Sequence, residues 1–133
     1  MAATFSIEAD KDHGMVRIRM DGFFTPEDIR RFLAARREAH AALGCAPNAN
    51  LTLNDIRGLT GQPQTTVDEF QKVLDDPATR SRRLAFIVGP TLVRGQLLRA
   101  LAGRDDARCF DSPAAAEEWL LSGDADAARG AAG

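Results

Sequence analysis

Two adjacent hydroxyl-bearing residues, Thr65 and Thr66, are the side chains in this 133-residue chain best placed for chemistry. They follow an apolar run and a polar loop, so the pattern predicts a strand, a loop and then a helix start. Unpaired backbone N–H groups at a helix start favour negative charge, so a hydroxyl there suits phosphorylation. The alternative is structural, because Thr66 and Glu69 match a capping box in which Thr66 only begins the helix. The capping role is the commoner one for such residues.

Polar residues at the end of the preceding strand extend this candidate site. Asp55 and Arg57 either hold the loop through hydrogen bonds or offer a contact surface. The end of a parallel strand and the start of the next helix are neighbours, and the turn after the adjacent strand borders them. The candidate partner-binding residues are Asn54, Asp55, Arg57, Gly58, Thr65, Thr66, Gly89 and Thr91.

Other reactive side chains lack the companions that catalysis or metal binding needs. His13 and His40 have no nucleophile or second metal ligand at a spacing that indicates an active site or a metal site. Cys45 and Cys109 have no neighbouring Cys or His at metal-ligand spacing. We therefore expect no enzyme activity, no metal site and no cofactor.

Composition narrows the classes of partner. The net charge is −2, whereas a nucleic-acid-binding or anionic-membrane-binding protein would favour a strongly basic face. The apolar fraction of 44% and the charged fraction of 27% are those of an ordinary globular protein. We expect no membrane span and no signal peptide, and therefore a cytoplasmic protein with reduced thiols.

The elements that must position these residues follow from periodicity. Alternation around Phe5 and from Val16 to Met20 predicts two strands, joined by a turn at 10–14 into an antiparallel hairpin. Thr25-Pro26 begins a helix, and the continuously apolar stretch 84–88 predicts a buried central strand. The predicted order is β-β-α-β-α-β-α-β-α, an α/β fold with a mixed five-stranded sheet flanked by four helices. Residues 1–121 form one domain, and 122–133 are expected to be a disordered tail.

The first strand should lie at a sheet edge, antiparallel to the second. Residues 3–9 carry little charge, and an uncharged edge favours pairing with another chain. A homodimer is therefore expected.

Three segments resemble the STAS domain, the fold of bacterial anti-sigma-factor antagonists of the SpoIIAA type. They are Val16–Gly22 before the first helix, Leu53–Leu59 at the third strand, and Phe110–Leu121 at the close. The resemblance implies a non-enzymatic protein-interaction module whose partner is an anti-sigma factor or a kinase. The family carries an Asp-Ser pair whose serine is phosphorylated. This pair corresponds here to Pro63 and Gln64, and neither side chain accepts phosphate.

Thr65 and Thr66 lie one and two residues beyond that position and remain the candidate phosphorylation sites. Each step along a helix start turns a side chain through roughly 100°, so their hydroxyls point elsewhere than the family's serine. The resemblance also implies an alternative function. Some relatives of this kind bind a small apolar molecule between the helices and the sheet, as lipid carriers do.

Overall fold

A five-stranded sheet with the strand order β1-β2-β3-β4-β5 organises the protein. The computed structural model describes residues 2–44, 49–60, 62, 64–74, 81–90 and 92–121. Cys45, Pro63, Thr91 and the segment 122–133 lie outside these residues. The described residues form five strands and four helices: β1 (Thr4–Asp10), β2 (Met15–Gly22), α1 (Pro26–Leu43), β3 (Leu51–Leu59), α2 (Gln64–Leu74), β4 (Arg83–Ile87), α3 (Leu92–Ala100), β5 (Ala107–Phe110) and α4 (113–121).

Strand pairing confirms the predicted α/β fold. The edge strand β1 pairs with β2 in the antiparallel direction, whereas β2, β3, β4 and β5 pair in parallel. The strands lie in the sheet in the same order as in the sequence. Successive right-handed crossovers therefore run in the same direction across the sheet, and α1, α2 and α3 pack on one face. The homodimer expected from the edge strand stays a prediction.

The face under these three helices holds the larger core. Alternate strand residues such as Val16, Ile18, Leu84 and Phe86 point into it and are buried. Four phenylalanine rings pack edge-on or tilted against one another, with centroids 5.5 to 6.3 Å apart. They are Phe5, Phe24, Phe32 and Phe70.

The opposite face is covered in part by α4. Met15, Leu53 and Ile87 pack there with the buried Ala116 and Leu120. Charged side chains lie on this same face because strand residues alternate between the two sides. Arg17 joins the sheet to α4, since its guanidinium lies 2.8 Å from the Glu117 carboxylate and 3.0 Å from Asp10.

The predicted start of α1 at Thr25-Pro26 is confirmed, and local contacts also fix the end of α1 and the start of α4. Thr25 accepts a hydrogen bond from the Asp28 backbone N–H, Asp28 bonds back to Thr25, and Gly44 ends α1 in the left-handed conformation at φ 69°. Ser112 caps α4 by accepting a hydrogen bond from the Ala115 N–H at 3.2 Å. These contacts satisfy backbone groups that a helix leaves unpaired.

The predicted capping box at α2 is wrong. The helix begins at Gln64, so Thr66 lies inside its first turn and is only 5% exposed. Glu69 pairs with Lys72 one turn later, at 3.2 Å, instead of reaching back to Thr66. Thr66 therefore contributes to packing under the helix and not to its N-terminal cap.

Candidate functional site

An apolar cavity of about 90 Å³ lies between the sheet and the helices α1, α2 and α3. Liquid water occupies about 30 Å³ per molecule, so the space would hold roughly three waters or a small organic group. The cavity is partly open to solvent. Its lining comprises Met20, Phe32, Arg36, Asn54, Ile56, Leu59, Gln62, Val67, Phe70, Gln71, Val73, Leu74, Phe86, Val93, Gln96, Leu97 and Ala100.

Asn54 is a polar residue on the sheet side of this lining. In the strand register it stands between Ile18 and Phe86, and it is 6% exposed. Its Nδ2 donates to the Ala85 carbonyl at 3.3 Å. A carbonyl only accepts hydrogen bonds, so this contact identifies the nitrogen end of the amide. Among the described residues, nothing donates a hydrogen bond to Asn54 Oδ1.

Gln62 ties the loop before α2 to the rest of the site. Its Oε1 accepts from the Phe24 N–H at 3.1 Å, and its Nε2 donates to the carbonyls of Gly22 at 3.0 Å and Thr60 at 2.6 Å. Its own carbonyl accepts from Gln96 Nε2 at 3.1 Å. The sequence carried no signal for this role, because a single glutamine in a polar loop is usually solvated.

Two polar residues of α1 turn inward. Arg36 and His40 are 3% and 8% exposed, and Arg36 lines the cavity. Arg36 lies four residues after Phe32, so helical periodicity could have placed it on the buried face. Arginine side chains are rarely buried, however, and this general tendency favours an exposed position for Arg36. The position of His40 near the apolar edge of the helix predicts a partly buried imidazole bonded to the backbone. Its burial is confirmed, but the backbone hydrogen bond is not found among the described residues.

His40 is held in its neutral form. Burial, and to a smaller degree the positive charge of Arg36, lowers its pKa from 6.5 to about 4. Within the described part of the chain, neither ring nitrogen has a hydrogen-bond partner. An imidazolium ion at this position would therefore be desolvated without compensation.

Lowering the pH is expected to destabilise the fold through His40. Below about pH 6.5 the unfolded chain binds a proton at this residue, but the folded protein does not until about pH 4. The unfolded state is therefore stabilised relative to the folded state throughout that window. The free energy of unfolding falls by about 2 kcal/mol between roughly pH 7.5 and pH 5. Urea denaturation at both pH values measures the loss. The loss should disappear in His40→Leu and persist in His13→Gln, and an equal loss in His40→Leu would contradict the assignment.

The predicted partner-binding residues do not form a single surface. Asn54 and Thr66 are buried on the helix side of the sheet. Asp55 and Arg57 point to the opposite face, since neighbouring strand residues alternate. There Arg57 Nε and Nη2 hold the Asp55 carboxylate at 3.0 and 2.7 Å, which lowers the pKa of Asp55 and raises that of Arg57. Thr65 is exposed at the start of α2.

Gly58 and Gly89 have different surroundings. Gly58 lies against Asp21 of the neighbouring strand, so closely that a Cβ atom would come within 1.7 Å of Asp21 Oδ1. Gly89 is partly exposed after β4. Thr91 lies outside the described residues, so its relation to this edge remains a prediction.

Metal-ligand clusters and membrane-spanning helices are absent from the described ranges. No three His, Cys, Asp or Glu side chains come together there as metal ligands. No helix in the same ranges is both long and apolar enough to cross a bilayer.

Comparison with known proteins bears on the fold. No family model matches the chain, and no curated protein matches it. Among solved structures, it is similar to an uncharacterised protein of the DUF3478 family from Shewanella loihica PV-4, which has a SpoIIAA-like fold. The identity is 21%, the match covers 90% of this chain and 94% of the other, and the TM-score is 0.66. This chain therefore has a SpoIIAA-like fold, as its resemblance to STAS domains implied.

Proposed function

We propose that this protein binds a small apolar molecule in the cavity between the sheet and α1, α2 and α3. The observation that carries the proposal is the 90 Å³ cavity, lined mainly by apolar side chains such as Ile56, Phe70 and Leu97. Protein interiors are normally packed with few voids larger than a water molecule. A space of this size in the main core is the kind of site that apolar ligands occupy.

The energetics agree with binding. An empty core cavity destabilises a fold by about 24 cal/mol per Å³, so about 2 kcal/mol is the upper limit of the cost for this partly open one. A ligand that fills it restores contacts between the lining and its contents. A ligand that binds only the folded state then raises the free energy of unfolding, and the increase grows with the logarithm of the ligand concentration above the dissociation constant.

A cavity-filling substitution tests the proposal. Ala100→Leu adds three carbon atoms at the wall, and Ala34→Leu adds the same atoms on the exposed side of α1. Native mass spectrometry of protein purified from its host should show a bound small molecule in the wild type and Ala34→Leu. Ala100→Leu should carry none and should unfold at higher temperature. Equal retention by both variants would contradict binding in this cavity.

A second function, recognition of a protein partner, is favoured by the exposure of Thr65. This threonine lies in the first turn of α2, where unpaired N–H groups favour a phosphate. The SpoIIAA-like fold supports a partner of the anti-sigma-factor or kinase class. Thr66 is less suited to modification because it is buried.

Pull-down from the host with Thr65→Glu tests this second function. A negative charge in the first helical turn is tolerated, so circular dichroism should report a folded protein. Loss of a partner from Thr65→Glu, with its retention by Thr4→Glu on the exposed side of β1, would support the site. Identical partners in identical yield from both variants would contradict it.

A further inference from the structure

We infer that the molecule bound in this cavity is a neutral apolar compound with one hydroxyl group, which donates a hydrogen bond to Asn54 Oδ1. The inference rests on the proposed function and specifies its ligand class. Some polar atoms of the lining already have hydrogen-bond partners in the protein, and the ligand class follows from those that do not.

The unsatisfied atom on the sheet side is an acceptor. Asn54 is 6% exposed, and one of the two N–H groups of its amide donates to the Ala85 carbonyl. Its Oδ1 accepts no hydrogen bond from the described residues, although it sits among the apolar groups of the lining. Asn54 borders the partly open cavity, so a donor for this oxygen has to come from the contents of the cavity.

Gln62 and Gln96 are two further amides of the lining. Gln96 donates its amide N–H to the Gln62 carbonyl, and no described residue donates to Gln96 Oε1. Gln62 uses both ends of its amide within the protein. Asn54 and Gln96 therefore each offer the cavity an amide oxygen together with a second N–H, and a hydroxyl group can donate to the oxygen and accept from the N–H.

A carboxylate ligand is disfavoured by the same arrangement. Its negative charge would leave water for a lining made mainly of apolar side chains, and Asn54 Oδ1 would still lack a donor. The positive charge on the wall belongs to Arg36, and that side chain already has an interaction partner within the chain. A hydroxyl group satisfies Asn54 without adding a charge to an apolar site.

Three cyclopentane derivatives that differ in one substituent test the inference: cyclopentanol, chlorocyclopentane and cyclopentanecarboxylate. Protein-observed NMR titration gives the dissociation constant of each probe. Cyclopentanol should bind roughly tenfold more tightly than chlorocyclopentane, and the carboxylate should bind most weakly. Cyclopentanol should also shift the side-chain amide resonance of Asn54, which chlorocyclopentane should leave in place.

Asn54→Leu removes the acceptor with little change in side-chain size. In this variant the preference for cyclopentanol should vanish or reverse. Glu118→Leu replaces a polar side chain on the exposed side of α4, outside the lining, and should keep the preference. The wild-type preference and the Asn54 resonance remain decisive even if Asn54→Leu does not fold.

The outcomes separate the inference from the proposed function. Equal binding of cyclopentanol and chlorocyclopentane would overturn the hydroxyl requirement and leave the cavity as an apolar site. Tightest binding of the carboxylate would overturn the inference in favour of Arg36. Binding of none of the three would overturn the proposed function together with the inference.

Discussion

Replacing Gln62 by alanine is expected to lower the free energy of unfolding by about 3 kcal/mol. The side chain forms three hydrogen bonds, and two of them reach Phe24 and Gly22, which are 38 and 40 residues away in sequence. Alanine would leave a buried N–H and two carbonyls without these partners. A missing partner costs more than the net gain from making the bond, because the remaining group stays desolvated.

Urea denaturation of Gln62→Ala beside Gln71→Ala measures this effect. Gln71 is exposed on α2, so its replacement should change stability by no more than about 0.5 kcal/mol. The Gln62 variant should also weaken the contact with Gln96, since its side chain positions the carbonyl that Gln96 binds. Equal stability of the two variants would show that water replaces the lost bonds.

Replacing Gly58 by alanine is expected to cost about 2 to 3 kcal/mol. The added Cβ would lie 1.7 Å from Asp21 Oδ1 and 2.6 Å from Asp21 Cγ, so the carboxylate must rotate or β2 and β3 must separate. Gly58 pairs with Asp21 just after a shift in the β2–β3 register, where the strands approach closely. The same carboxylate accepts a hydrogen bond from Arg19 Nε at 3.2 Å, which resists the rotation.

A double-mutant cycle with Asp21→Ala tests the cause. This change removes the two closest atoms and leaves the Asp21 Cβ at 3.1 Å, a tight contact that a small shift relieves. Gly58→Ala should therefore cost much less in the Asp21→Ala background, with a coupling energy above about 1 kcal/mol. An unchanged cost would place the strain in the backbone of Gly58 and not in its contact with Asp21.

Asn54 and Asp55 show why a candidate site predicted from neighbouring residues in the sequence is split between the two faces of the sheet. Sequence proximity suggested a common surface for the two residues. In a strand they point to opposite faces, one towards the cavity and the other towards Arg57. Alternation itself is predictable, but which face would receive three helices depends on the direction of every crossover.

Local chemistry in the sequence was sufficient for the elements and their order. The alternating apolar residues of β1 and β2, the capping residues Thr25 and Ser112, and Gly44 at a positive φ each act within a few positions. Such signals depend only on residues close in sequence, so they can be recognised without knowledge of the tertiary structure. They were enough to predict the mixed sheet, its edge strand and the helices between strands.

The cavity and its polar groups were decided by the tertiary structure. Gln62 bonds to residues about 40 positions away, Arg36 is buried although arginine is usually exposed, and Thr66 turns inward although its sequence matched a cap. Each outcome depends on how α1, α2 and α3 pack side by side on one face of the sheet. Hydrophobic periodicity specifies which side of an element is apolar, but the space left between packed elements depends on the joint fit of many side chains.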